Sequence, residues 1–151
     1  FIEALPNLQT EQHRNPRTLL HGDFRMENLL YGTQAHQEDV VVIDFQGPLL
    51  GSGFVDLALF LGQSTKTEVR RQYEKDLVTR YVEGLRAEGV KTVDKDAAWL
   101  AYRRAILYNW VYAAVVAGTL DASNEKTAAW MKQMVDRQLA ASLDLDIFEL
   151  L

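Results

Sequence analysis

Apolar residues follow two different rhythms along this chain. Before about residue 60 they come in short runs, and after Thr65 they recur at helical spacing. Leu29–Tyr31 and Val40–Ile43 are short apolar runs rich in β-branched and aromatic residues, and Gly32 with Thr33–Asp39 lies between them. That pattern predicts a β-hairpin. Thr18–Leu20 reads as a further short strand leading into a polar loop. Ahead of it, Phe1–Leu5 reads as the end of a helix stopped by Pro6. Asn7–Arg17 reads as a polar loop with a turn at Asn15-Pro16 and a solvated His13. Gln46–Gly53 is a turn-rich connector. Asp56 then opens Leu57–Leu61, a short, nearly all-apolar helix that must be buried.

The remainder predicts helices. Thr65-Lys66-Thr67-Glu68 fits a capping box. Val69, Tyr73, Leu77, Tyr81 and Leu85 form an apolar stripe behind it, ended by Glu88-Gly89. Asp94 is the expected N-cap of the next helix. Its stretch Ala105–Ala117 is apolar nearly all round, interrupted mainly by Asn109, and its 13 residues are too few to span a bilayer. It is expected to be a central buried helix. The last helix is expected to start near Ser123 or Asn124 and to pack Met131, Met134, Val135, Leu139 and Leu143.

The hairpin carries the candidate chemistry. Asp23 and Asn28 precede its first strand, and Asp44 follows its second, 21 positions after Asp23. A hairpin brings its outer ends together, so these oxygen-bearing side chains can converge. Two carboxylates and a carboxamide oxygen suit Mg²⁺, whose remaining ligands are usually water and substrate phosphates. The order Asp, four residues, Asn, a strand pair, Asp-Phe is that of a kinase catalytic loop and its metal-binding Asp.

His21-Gly22-Asp23-Phe24-Arg25-Met26-Glu27-Asn28 with Asp44-Phe45-Gln46 resembles the aminoglycoside phosphotransferase and choline kinase-like family of small-molecule kinases. Gly51–Ala58 resembles that family's following segment, and the likeness is strong over Leu19–Gly62. The resemblance implies that Asp23 is the catalytic base and that Asn28 and Asp44 hold Mg²⁺ and, through it, ATP. It also implies a structural role for His21, which could otherwise be a metal ligand. For Asp56 it implies a brace on the catalytic loop, beside the simpler reading as an N-cap. Gly22 is expected to permit a backbone angle or close approach that a Cβ would block. Arg25 has two open readings: a charge that reaches the transferred phosphoryl, or a surface partner of Glu27 or Glu38. Phe24 and Met26 read as packing residues.

Composition narrows the field. A net charge of −5 without a Lys/Arg cluster speaks against a nucleic-acid footprint, and the absence of cysteine excludes disulfides and thiolate zinc sites. No signal peptide is visible, and a cytoplasmic location is expected. Asp44 and Asp56 are 12 positions apart, too close for a protein kinase's activation segment, so a small-molecule acceptor is expected. The residues before Asp23 hold no Gly-rich loop and no strand bearing a phosphate-pairing Lys. The chain therefore reads as a single domain over residues 1–151, with the nucleotide-covering N-terminal lobe absent.

The expected fold is α+β and mainly helical, the C-terminal lobe of a protein-kinase-like fold with strands confined to a small catalytic hairpin. The expected reaction moves the γ-phosphoryl of ATP to a hydroxyl of an aminoglycoside, a choline-like amino alcohol or a sugar-like acceptor. Two other readings are a metal-dependent hydrolase using His21, Asp23 and Asp44, and a non-catalytic binding lobe. Trp99, Tyr102, Trp110 and Tyr112 raise the further idea of an aromatic cage for a cation, and Arg103 and Arg104 that of an anion site.

Overall fold

Pro6 begins a helix here rather than ending one. In the computed structural model, which describes residues 1–33, 40–90 and 93–151, a 3₁₀ turn at Ile2–Ala4 leads into α1, Leu5–His13, with the proline in its first turn. A proline is tolerated there because that N–H has no helical partner to lose. Leu8 and Gln12 give α1 a buried face, and His13 is exposed in its last turn. The polar loop expected from Asn7 onward is thus mostly helix.

The chain then forms β1 (Arg17–Leu20), a 3₁₀ turn (Met26–Asn28), β2 (Leu29–Tyr31), β3 (Val40–Val42) and β4 (Leu49–Ser52). β2 and β3 pair antiparallel, with Leu30 opposite Val41, as the apolar runs predict. The turn over residues 34–39, and Glu38 with it, lies outside the described residues. Strands are not confined to this hairpin. The connector after Asp44 contains β4, which pairs antiparallel with β1, Leu19 opposite Leu50. Its glycines suggested only turns, but Gly51 sits under the Leu20 side chain in a close packing that a Cβ would spoil.

The helices are α2 (Phe54–Leu59), continued by a π-helical turn Phe60–Ser64, then α3 (Thr67–Ala87), α4 (Lys95–Tyr108), α5 (Trp110–Thr119) and α6 (Glu125–Asp144), with a 3₁₀ turn at Ile147–Leu150. The architecture is mainly helical with two small sheets. Phe54, Ala58, Leu61, Val82, Tyr102 and Ile106 meet in the core, so α2 and α4 form its centre. No helix among the described residues is long and apolar enough to cross a membrane.

Local end signals are realised where a side chain can reach the backbone beside it. The Asp94 carboxylate accepts the Ala97 N–H at 2.8 Å, and Asn124 Oδ1 accepts the N–H groups of Lys126 and Thr127. Gly89, at φ +89°, follows the end of α3. The capping box does not form. Lys66 is the N-cap of α3 without a side-chain bond, and the Thr65 hydroxyl donates to the Phe60 carbonyl instead.

The buried face of α3 is also not the apolar stripe. Val69 and Tyr73 are 43% and 46% exposed, whereas Arg70 is 1% exposed and Glu74, Val78 and Val82 are buried with it. Arg70 donates to Glu74 at 2.7 Å and to Asp144 of α6, and Tyr102 donates to the same Glu74 oxygen at 3.2 Å. Charges can be buried when they satisfy one another. The α6 face shifts similarly: Met134, Gln138, Ala141 and Ser142 are buried, while Leu139 and Leu143 are exposed. The expected Ala105–Ala117 helix is broken at Asn109. Its first half is core, but α5 buries only Ala113 and Val116.

Candidate active site

Gly22 has φ +82°, and a Cβ on it would lie 2.5 Å from the Gly47 carbonyl oxygen. Both expectations for this glycine, an unusual angle and a close approach, hold together. The turn it makes exposes the amides of His21 and Gly22 to Asp56, whose carboxylate accepts them at 2.7 and 3.1 Å. Asp56 lies in the first turn of α2, and Gly53 is the N-cap, so the side chain braces the loop rather than capping its own helix. Burial pushes the Asp56 carboxyl above its ordinary range, and the two amides pull it part of the way back.

His21 is buried between two bonds. The Asp23 N–H approaches Nδ1 at 3.2 Å, so Nδ1 is the acceptor and Nε2 carries the proton that it shares with the Ile43 carbonyl at 2.7 Å. That tautomer leaves no ring lone pair for a metal, which removes His21 from the ligand set of the hydrolase reading. Instead, the imidazole ties the catalytic loop to the end of β3. Phe45 and Phe24 pack against it with ring centroids at 4.4 and 6.0 Å, and Phe24 continues to Phe60 at 5.3 Å. Met26 is partly exposed at the rim, where its N–H donates to Ser64 Oγ.

Asp23 is surrounded by donors. Arg25 Nε lies 3.0 Å from Oδ1 and 3.1 Å from Oδ2. Asn28 Nδ2 donates to the Asp23 carbonyl at 2.8 Å and to Oδ2 at 3.1 Å. Tyr112, far along the chain on α5, donates its hydroxyl to Oδ1 at 2.7 Å. Arg25 thus pairs with Asp23 and lies over the Trp130 ring, 4.9 Å from its centroid. The Tyr112 hydroxyl is driven to stay protonated, first by burial and then by the bond to Asp23.

Asn28 is buried, and two acceptors on one side require its NH₂ to face Asp23. Its carboxamide oxygen then points the other way and has no hydrogen-bond partner among the described residues. The Ile43 N–H donates to the Asn28 carbonyl at 3.0 Å, which brings Asp44 one residue beyond that contact. Asp44 is exposed at φ 68°, a left-handed conformation uncommon outside glycine and often found at functional sites. A carboxamide and a carboxylate oxygen are donor types that a hard cation takes. No group of three or more His, Cys, Asp and Glu side chains among the described residues is placed to hold a metal by itself.

Tyr112 apart, the remaining sequence candidates lie away from this site. Tyr102 is fully buried on Glu74, with Trp99 stacked at 5.5 Å, and Trp110 donates to Ser142. Arg103 bonds the Leu145 and Asp146 carbonyls and Glu149, and Arg104 bonds Glu11 at 2.9 Å. These are ties between helices, and the four aromatic residues do not share one cage. The sequence offers Tyr112 only as a cage member, not as a partner of Asp23. Its only signal was a polar tip on an otherwise apolar helix.

The family model for ecdysteroid kinase-like proteins matches residues 1–93, which contain the catalytic loop, the hairpin and Asp56. The chain belongs to the ecdysteroid kinase-like family. This is a small-molecule kinase-like family, related to the aminoglycoside phosphotransferase and choline kinase-like enzymes that the loop motif resembles but not the same as them. It supports a kinase-like phosphotransferase in general. No curated protein and no solved structure matches the chain. The loop and hairpin lie within the matched stretch, while α4, α5 and α6 lie beyond it.

Proposed function

We propose that this chain is the catalytic, acceptor-binding lobe of an ATP-dependent phosphotransferase acting on a hydroxyl of a small molecule. One observation carries the reading: Asn28 Nδ2 donates to the Asp23 side chain at 3.1 Å, and the hairpin bonds Asn28 to Ile43, the residue before Asp44. Asp23 orients the acceptor hydroxyl and takes its proton as the new O–P bond forms and the bond from phosphorus to the ADP oxygen breaks. Asn28 Oδ1 and the Asp44 carboxylate are the groups that would hold Mg²⁺, which supplies charge neutralisation on the nucleotide phosphates. Arg25 pairs with Asp23 and keeps a positive charge beside the place where the phosphoryl would transfer. His21, Gly22 and Asp56 fix the loop on which these groups sit.

The nucleotide-covering lobe is proposed to be supplied by a part of the protein outside this chain. Leu19, Leu30, Val41 and Leu50 leave both small sheets with broad apolar exposure, at 68%, 52%, 54% and 61%. Such a surface calls for a cover.

Asp23→Asn in the full-length protein tests the reading, because it keeps the shape and removes the base. The expected result is a fall in kcat of roughly 10²–10⁴-fold with the KM for ATP little changed. A kcat within a few-fold of wild type would overturn Asp23's role, and a raised KM for ATP at constant kcat would move it to the metal ligands.

A further inference from the structure

Asp23 does not need Tyr112 to be held in place. Arg25 Nε bridges both carboxylate oxygens, and Asn28 Nδ2 binds one of them and the backbone carbonyl as well. These contacts come from the same loop and fix the carboxylate's rotamer. The Tyr112 bond is the shortest of the set, 2.7 Å, and it comes from a helix outside the stretch that matches the family.

The geometry of that bond is informative. A neutral hydroxyl donating to a carboxylate at 2.7 Å reproduces what an acceptor alcohol must do at a general base, which requires about 2.6–3.2 Å between heavy atoms. Tyr112 also lines a narrow cleft between the π-helical turn and α6, together with Arg25, Gln63, Trp130 and Arg137, whose free volume of about 10 Å³ holds no more than a water molecule while the phenol is in place. The cleft thus meets Asp23 at the phenol oxygen. Its polar rim includes Gln63, a buried side chain whose Nε2 donates to the Asn109 carbonyl and whose Oε1 has no partner. An unpaired buried acceptor beside a cleft favours a ligand that brings a donor.

We propose that the Tyr112 hydroxyl is a stand-in for the acceptor hydroxyl on Asp23 Oδ1, and that an acceptor alcohol displaces it as the phenol swings aside. Tyr112 is then a specificity-determining residue that closes the base until an acceptor is present. Displacement requires a swing of one side chain, since α5 is anchored just ahead of it by Asn109 on the Val55 carbonyl and by Trp110 on Ser142. Water is excluded from Oδ1 by the same phenol, so the device limits wasteful hydrolysis of the nucleotide.

This inference rests on the phosphotransferase reading, and the test separates the two. MgATP hydrolysis with water as the acceptor is measured for the full-length wild type, Tyr112→Phe, Asp23→Asn and the double variant, with nucleotide binding followed by calorimetry. Tyr112→Phe keeps the ring and removes the competing donor. Its hydrolysis rate is expected to rise by up to roughly 10–150-fold, the scale of losing one hydrogen bond to a charged group. The rise should vanish in the double variant. A rate that is unchanged or lower in Tyr112→Phe overturns the stand-in role, a fall marking Tyr112 as a residue that positions Asp23. Absence of both nucleotide binding and hydrolysis in the wild type overturns the phosphotransferase reading, and the stand-in with it.

Discussion

The Gly47 carbonyl oxygen occupies the place where a side chain on Gly22 would begin, 2.5 Å from its Cβ position. The obstacle is backbone and cannot swing aside. Gly22→Ala also forces a Cβ into a φ of +82°. A loss of stability of about 1–3 kcal/mol is expected for the strained backbone, and the contact with Gly47 adds to it. Urea denaturation measures this. Activity should fall further than stability, because the amides next to Gly22 set the Asp23 loop. An alanine variant with wild-type stability and turnover would show that the loop has room the structure denies.

Asp56 satisfies two amides that no other group reaches. Asp56→Ala leaves the His21 and Gly22 N–H groups without their acceptor, at a cost of about 1–3 kcal/mol. Asp56→Asn should be milder, since one oxygen remains to accept. The order of melting temperatures, wild type above asparagine above alanine, is the check. Equal values for the two variants would mean that the bonds contribute little.

Asp44 is expected to act through nucleotide-bound Mg²⁺ and not through free metal. Asn28 and Asp44 leave most of an octahedral shell for water and phosphates. In the full-length protein, Asp44→Ala should weaken MgATP binding by at least the roughly 10–100-fold that loss of an outer-shell partner costs a metal site. Titration calorimetry with MgATP and with MgCl₂ alone decides this. Unaltered MgATP affinity would take Asp44 out of the site.

Asp144 gives stability an acid limb. Its carboxylate is held below the usual range chiefly by its bond to Arg71, and further by Arg70. The unfolded chain therefore binds the proton more readily than the folded one. The associated stability is present above the unfolded pKa of 3.8 and is lost as pH falls from there through the lower folded value. Asp144→Asn should cost about 1–3 kcal/mol at neutral pH, because Arg70 is buried and keeps only Glu74. The gap to wild type should close below about pH 4. Parallel curves from pH 7 to pH 3 would contradict the linkage.

Local structure carried by neighbouring residues was readable from sequence. The motif His21–Asn28, the hairpin and Asp44 depend on local spacing, and the hairpin needs only a turn and two apolar runs. The Asp94 and Asn124 caps were readable for the same reason, since each side chain bonds amides two or three residues on. Gly22 stood out because few residues adopt its backbone angle.

Tertiary structure decided the rest. An apolar count put Val69 and Tyr73 inward, yet α3 turns Arg70 and Glu74 to the core, because Asp144 and Tyr102 wait there to pair with them. Periodicity counts apolar residues and cannot see a polar group whose partner lies on another helix. The pairing of β1 with β4 and the break at Asn109 likewise depend on what packs alongside. Tyr112 reaches Asp23 across 89 positions of sequence. No local pattern encodes a contact between a loop and a helix so far apart, because it exists only once α5 has been laid against the folded site.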